Sequence, residues 1–279
     1  MLISTIIPTH NRWPMVRRAV QSVLDQDDER SDVVVVDDGS TDGTAEHLAR
    51  EFGSQVRVLQ QNNRGVSAAR NAGIKVCTTD WVALLDSDDQ WHADKLRLQA
   101  EALAQNPDMR FCHSDEIWMR NGVRVNPMKK HAKRGGDVFA HCLPLCAITP
   151  SSAVIHRSVF EHVGYFDETL PACEDYDFWL RCSVHYPVLY VSERLLTRYA
   201  GHDDQLSQRY WGMDRFRVRA LAKLILSGEL NRQQHVLAMR ELNAKIKVLK
   251  LGAIKRGNRQ LLLELAAIRH KLLGQARVF

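Results

Sequence analysis

The first hundred residues alternate short unbroken apolar runs with stretches of helical spacing. Residues 2–8 form an apolar run that ends in Pro8-Thr9-His10-Asn11, and Trp13–Leu24 then sets Val16, Val20, Val23 and Leu24 at helical intervals. Val33 to Val36 are four β-branched residues in succession, the pattern of a strand covered on both faces. Asp37-Asp38-Gly39-Ser40-Thr41-Asp42-Gly43 is turn chemistry, with Thr41 or Asp42 as N-cap of a helix over Thr44–Phe52. A short strand is predicted over 56–59, a helix over 65–77, a strand over 81–85 and a helix over 93–105 that stops at Asn106-Pro107. Strand-helix alternation of this kind predicts an open, mostly parallel α/β sheet, whose ligands bind beyond the carboxyl ends of the strands. Pro8-Thr9, Asp37-Asp38 and Asp86-Ser87-Asp88 each stand at such an end.

After residue 107 the pattern changes. A hairpin is predicted over 110–125 around Asn121-Gly122, a basic mobile loop over 128–136, a strand over 151–156 and a helix beginning at Glu174-Asp175. Everything beyond Trp211 reads as helix, broken near Ser227-Gly228 and Gly257-Asn258, with Leu242, Ile246 and Leu249 on one face. The expected division is a catalytic domain over 1–210, with a nucleotide-binding half (1–107) and an acceptor-binding half (108–210), followed by a basic helical extension over 211–279.

Composition adds one asymmetry. The 279 residues carry a net charge of +5, yet those from Asn231 onward hold 11 Lys/Arg against 2 Asp/Glu, so the preceding body is net negative by four. An acidic body suits a metal-binding site, and a basic tail suits an anionic partner. Aromatic residues do not interleave with those basic positions, which argues against nucleic acid. The apolar runs fall short of the roughly 20 residues of a membrane helix, and the N-terminal run lacks a basic leader, so a cytoplasmic protein is expected. Six cysteines without a Cys-x-x-Cys pair read as reduced, mostly buried thiols.

Five clusters carry candidate chemistry. Asp86-Ser87-Asp88-Asp89 packs three carboxylates into four residues, a repulsion tolerated by a solvated turn or by a bound hard cation, Mg²⁺ or Mn²⁺, that also grips phosphate. Asp37-Asp38 offers a carboxylate to a uracil N–H or a ribose, or simply forms a turn. Gly65 to Gly73 is a helix of small residues in which Arg70 either faces a diphosphate or lies on the surface. Glu174-Asp175 complements a helix dipole or supplies a general base. His202-Asp203-Asp204 is a metal or phosphate contact, or a surface loop.

The order of these motifs resembles the family 2 glycosyltransferases of the GT-A fold. The resemblance rests on Ile6-Ile7-Pro8-Thr9-His10-Asn11, Asp37-Asp38-Gly39-Ser40, Ala69-Arg70-Asn71-Ala72-Gly73, Leu84-Leu85-Asp86-Ser87-Asp88-Asp89 and Cys173-Glu174-Asp175-Tyr176-Asp177. It spans residues 1–210 and implies a nucleotide-diphosphate sugar donor, most often UDP-linked, and Mn²⁺ or Mg²⁺. Carried onto this chain, it makes Pro8, Thr9, Asp38, Arg70, Asp86 and Ser87 donor contacts, Asp88 and His202 metal ligands, and Asp175 the base with Glu174 beside it. The acceptor is then a hydroxyl, on a cell-surface polysaccharide or a lipid-linked glycan, and attack at C1 inverts the anomeric centre. The basic C-terminal helices pack on the core, form a homodimer, or lie on an anionic inner membrane leaflet. A nucleotidyltransferase is the rival enzyme, but Pro8-Thr9-His10-Asn11 is no Gly-rich phosphate loop. An Asp-x-Asp phosphatase would place its motif after the first strand, and a sugar-nucleotide-binding scaffold would lack Asp88 or Asp175.

Overall fold

The computed structural model describes residues 1–27, 31–201 and 209–275. One nine-stranded sheet organises the chain. Strands β1 (Ile3–Thr9), β2 (Ser31–Asp37), β3 (Arg57–Gln60) and β4 (Trp81–Leu84) are parallel, in the order β3-β2-β1-β4. Helices α1 (Trp13–Leu24), α2 (Thr44–Phe52) and α3 (Val66–Val76) make the crossovers. Both faces of this part are covered, and side-chain parity shows it. Ile6, Val34, Val36, Val82 and Leu84 enter one apolar cluster, while Ile3, Ile7, Val33, Val35 and Ala83 enter the other. This is why Val33 to Val36 needs no polar alternation.

Helix α3 lies close against β1 because Gly73 permits it. A Cβ there would stand 2.5 Å from Cγ2 of Ile6. Residues 44–52 are helical as expected, but the N-cap position is Gly43 in the left-handed region. Asp42 still does the capping chemistry, accepting from Thr44 N at 3.1 Å.

The remaining strands turn the sheet antiparallel and then mixed. Beyond β4 come β8 (Ala153–His156), β6 (Phe111–Arg120), β9 (Leu189–Ala200) and β5 (Gln90–Trp91), with β7 (Val123–Val125) hairpinned onto β6. The β6–β7 turn is Asn121-Gly122, both with positive φ, as that dipeptide predicts. Parallel pairing thus governs the first half, and the long β6–β9 pair is parallel as well. The segment expected to be a mobile loop over 128–136 is instead pinned. Lys133 forms a buried ion pair with Glu116 at 2.8 Å, and His113 Nε2 meets the Arg134 carbonyl at 2.7 Å.

Helix α4 (Lys95–Gln105) covers the face shared with α1. The opposite face carries α5 (Phe139–Cys142), α6 (Arg157–Val163), α7 (Glu174–His185), α8 (Asp214–Ser227), α9 (Arg232–Lys255) and α10 (Arg259–Gln275). Leu242, Ile246 and Leu249 of α9 are buried in the same apolar cluster as Phe178 and Trp179 of α7. The C-terminal helices are therefore packed onto the body. All six cysteines are free, five of them buried. Among the described residues no helix is long and apolar enough to cross a membrane.

Candidate active site

The site begins where β1 and β4 part. Strand β1 stays paired with β2 out to Thr9–Asp37, but its pairing with β4 ends at Ile6–Leu84. Pro8 follows, with no N–H to leave unpaired on the side β4 has vacated. A crevice between neighbouring strands at the carboxyl end of a doubly wound sheet is the general ligand site of such folds. Thr9, Asp37-Asp38 and the Asp86–Asp89 turn all lie on this rim.

The two acidic clusters differ in what holds them. Asp38 is buried and accepts from Gln61 Nε2 (2.7 Å), Arg64 N (2.9 Å) and Gly65 N (2.7 Å). Its own N–H reaches the Thr9 carbonyl at 2.9 Å. A carboxylate has about four acceptor sites, so roughly one remains for a nucleoside. Asp37 accepts from Ser40 N at 3.0 Å.

In the second cluster Asp89 turns inward. It accepts from Ser151 Oγ (2.6 Å) and Tyr199 N (3.1 Å), and burial, with Asp88 and Asp86 adding repulsion, pushes its carboxyl well above the usual range. Ser87 is buried in the same turn. Asp86 and Asp88 keep partial exposure, 27% and 17% of the side chain. Asp88 meets Arg12 Nη1 at 3.3 Å and opens onto a recess of about 260 Å³ that Arg18, Asn121, Tyr199 and Gly201 also line. Asp38 and Asp175 do not line that recess. They join the rim through contacts: Asp38 through Thr9, and Asp175 through its neighbour Glu174.

Arg70 makes the second connection. Its guanidinium is 3% exposed and donates to Asp86 Oδ1 at 2.6 Å and to Glu174 Oε1 at 2.7 Å. Burial disfavours its charge, but the two carboxylates outweigh this and raise its pKa. Both terminal nitrogens thus donate to protein carboxylates. Glu174 is buried, and desolvation plus the adjacent Asp175 push its carboxyl up to about 7 against the pull of Arg70. The helix that starts here is entered through Cys173, a non-glycine residue at φ +60°, a conformation that costs energy and recurs at functional sites. Asp175 is half-buried. Its Oδ1 accepts from Tyr176 N (2.7 Å) and its Oδ2 from the Cys146 thiol (3.1 Å).

Other features of the site come from the fold. Thr9 Oγ1, Ser67 Oγ and Arg70 Nε are buried without a hydrogen-bond partner among the described residues. Buried polar atoms are ordinarily paired, and these three belong to β1 and α3. Arg198 lies over Trp118 at 5.3 Å and within electrostatic reach of Asp86, Asp89 and Glu116. No spacing in the sequence ties it to those carboxylates. His202 lies outside the described residues. Among the described residues no three His, Cys, Asp or Glu side chains gather as a metal cage. A Mg²⁺-like ion that arrives with a diphosphate needs only one or two protein carboxylates, and the hard oxygens of Asp88, at the mouth of the recess, fit that role.

Comparison with known proteins decides the family. The family model described as Glycosyl transferase family 2 matches residues 4–164, more than half of the chain. The chain belongs to glycosyl transferase family 2. This family 2 chain is 30% identical over 214 residues to an uncharacterised glycosyltransferase of Rickettsia felis, covering 75% of this chain and 35% of that protein. It is 36% identical over 107 residues to the putative teichuronic acid biosynthesis glycosyltransferase TuaG of Bacillus subtilis, covering 37% of this chain and 42% of TuaG. The chain thus spans well under two thirds of these relatives. Among solved structures, S. aureus TarS 1–349 in complex with UDP-GlcNAc aligns with a TM-score of 0.70 at 21% identity, over 87% of this chain and 70% of that one. The mannosyltransferase PcManGT from Pyrobaculum calidifontis, in complex with GDP-Man and Mn²⁺, aligns with a TM-score of 0.65 at 18% identity, over 97% and 86%. Both likenesses support a GT-A fold for this family 2 chain.

Proposed function

We propose that the protein transfers a sugar from a nucleotide-diphosphate donor, UDP-linked, to a hydroxyl acceptor with inversion at C1. One observation carries this reading. The carboxyl ends of β1, β2 and β4 bring Thr9, Asp38 and Asp86–Asp88 to one rim, and Arg70 ties that rim to the helix that presents Asp175.

Thr9, Ser67 and the remaining acceptor site of Asp38 face the nucleoside, with Pro8 and Ser87 shaping the walls of the crevice. Arg70 acts on the donor through Asp86, which it holds in place. Asp88, with His202, would hold Mn²⁺ or Mg²⁺, whose charge offsets that of the departing diphosphate. Asp175 accepts the proton of the acceptor hydroxyl as its oxygen attacks C1 from the face opposite the diphosphate, and Glu174 fixes the start of the helix beside it. Residues 1–107 serve the donor and 108–210 the acceptor.

The acceptor we propose is a cell-surface polysaccharide or lipid-linked glycan. The outer face of α9 supports this, since Val236, Val248, Leu251 and Ile254 are exposed among Arg240, Lys247, Lys250 and Lys255. Apolar side chains set among cations match an anionic leaflet. Sedimentation with phosphatidylglycerol vesicles tests this, and salt-resistant dimers without vesicle binding would replace the leaflet with a second copy.

Melting shifts across UDP- and GDP-sugars, with and without Mn²⁺, identify the donor. Asp175→Asn is expected to keep donor binding and lose transfer by about 10²–10⁴-fold. Near-wild-type transfer by that variant would remove Asp175 as base, and a nucleotidyltransferase-like gain from free nucleoside triphosphates would redirect the class.

A further inference from the structure

Helix α9 reaches the acceptor side of the site through a short loop. Residues 143–148 run from α5 past the start of α7. The Leu143 carbonyl accepts from Tyr176 Oη at 2.6 Å, and the Pro144 carbonyl accepts from Lys245 Nζ at 2.9 Å. Lys245 is 8% exposed and is itself held by Asp214 (3.2 Å) and Glu241 (3.1 Å). Two residues after Pro144, the Cys146 sulfur stands 3.1 Å from Asp175 Oδ2 and 3.3 Å from the Ile148 carbonyl.

We propose that Cys146 is a positioning residue for Asp175, its thiol donating to one carboxylate oxygen while α9 clamps the loop through Lys245. The inference rests on the reading of Asp175 as the base. With Tyr176 N on Oδ1 and, on Oδ2, a thiol with one hydrogen whose sulfur lies nearer that oxygen than the Ile148 carbonyl, each oxygen has a donor and the plane of the carboxylate is set. Burial, and then the charge of Asp175, push the thiol well above its ordinary range, so it stays protonated and acts as a donor. A thiol is a weak donor. It orients the carboxylate through a weaker bond than a hydroxyl would give. The other titratable or charged groups that face the pair are Glu174 and Cys173 at the start of α7, Cys142 of α5, Arg217 of α8 and Arg198 of β9.

The test uses the full chain. In the infrared S–H stretching region, the wild-type minus Cys146→Ala difference is expected to show a band lowered by hydrogen bonding, which Asp175→Asn moves toward the free-thiol position. An unbonded band that Asp175→Asn leaves in place overturns the proposal. The kinetic arm follows UDP release from UDP-N-acetylglucosamine, with UDP-glucose and GDP-mannose as alternate donors. Loss of a donor to the anion raises the acid limb of the kcat profile in Cys146→Ala by about half a pH unit, and the stronger donor in Cys146→Ser lowers it, with donor KM unchanged in both. If Asp175→Asn turns over at the wild-type rate, the base reading fails and the positioning role goes with it. If Asp175→Asn is inactive and both cysteine variants leave the acid limb in place, only the positioning role fails.

Discussion

The carboxylates after β2 and those after β4 look alike in sequence and are opposites in the fold. Asp38 accepts from three protein donors, two of them backbone N–H groups of the loop ahead of α3. Asp86 meets Arg70, Asp88 meets Arg12, and both carboxylates keep part of their surface. The first arrangement builds a wall, and the second leaves charge available to something that comes and goes. What separates the two clusters here is the supply of N–H donors around them, not their spacing along the chain.

Four measurements would break or sharpen that contrast. Arg70→Met should have the largest effect. It strands Glu174 without a cation in a buried position, at a cost of about 3–5 kcal/mol, read from urea unfolding. Asp88→Ala should lower Mn²⁺-dependent donor turnover by roughly 10²–10³-fold, while the melting temperature stays near that of the wild type. If it unfolds the protein, Asp88 belongs with the wall. Asp38→Ala leaves Arg64 N, Gly65 N and Gln61 Nε2 without an acceptor, and should cost about 2–3 kcal/mol of stability. A purely catalytic loss would move Asp38 to the other side of the comparison. The smallest effect is the pH dependence of Glu174. Its carboxyl is pushed up to about 7 in the folded chain, so between pH 4.5 and 7 the folded state keeps a proton that the unfolded state has released. Stability from this group therefore falls as pH rises through that window and levels off above it. Glu174→Gln should flatten that slope in melts run from pH 5 to 8.

The first half of the fold was legible because its strands are covered on both faces. Val33 to Val36 and the run ending at Pro8 announce themselves without reference to any partner. The 12-residue strand β9 did not, although it pairs with β6 along most of its length. Ser192, Glu193 and Arg194 are exposed in a row, and the register with β6 slips at Ser114, Asp115 and Ile117, so no two-residue period survives. The two-residue β5 is too short to leave a pattern. The site divides in the same way. Pro8-Thr9, Asp38, Asp86 and Asp88 could be placed at strand ends from local pattern alone. The inward turn of Asp89, the double engagement of Arg70, and the roles of Ser67, Arg198 and Cys146 depend on partners far along the chain, which composition and spacing do not encode.

Gly73 gives α3 almost no slack against β1, since a side-chain carbon there would stand 2.5 Å from Ile6. Arg70 rides on that helix less than one turn away. A single added methyl would act as a wedge under a lever arm, prising the guanidinium from Asp86 and Glu174 together and parting the two sides of the candidate site without altering any residue in it.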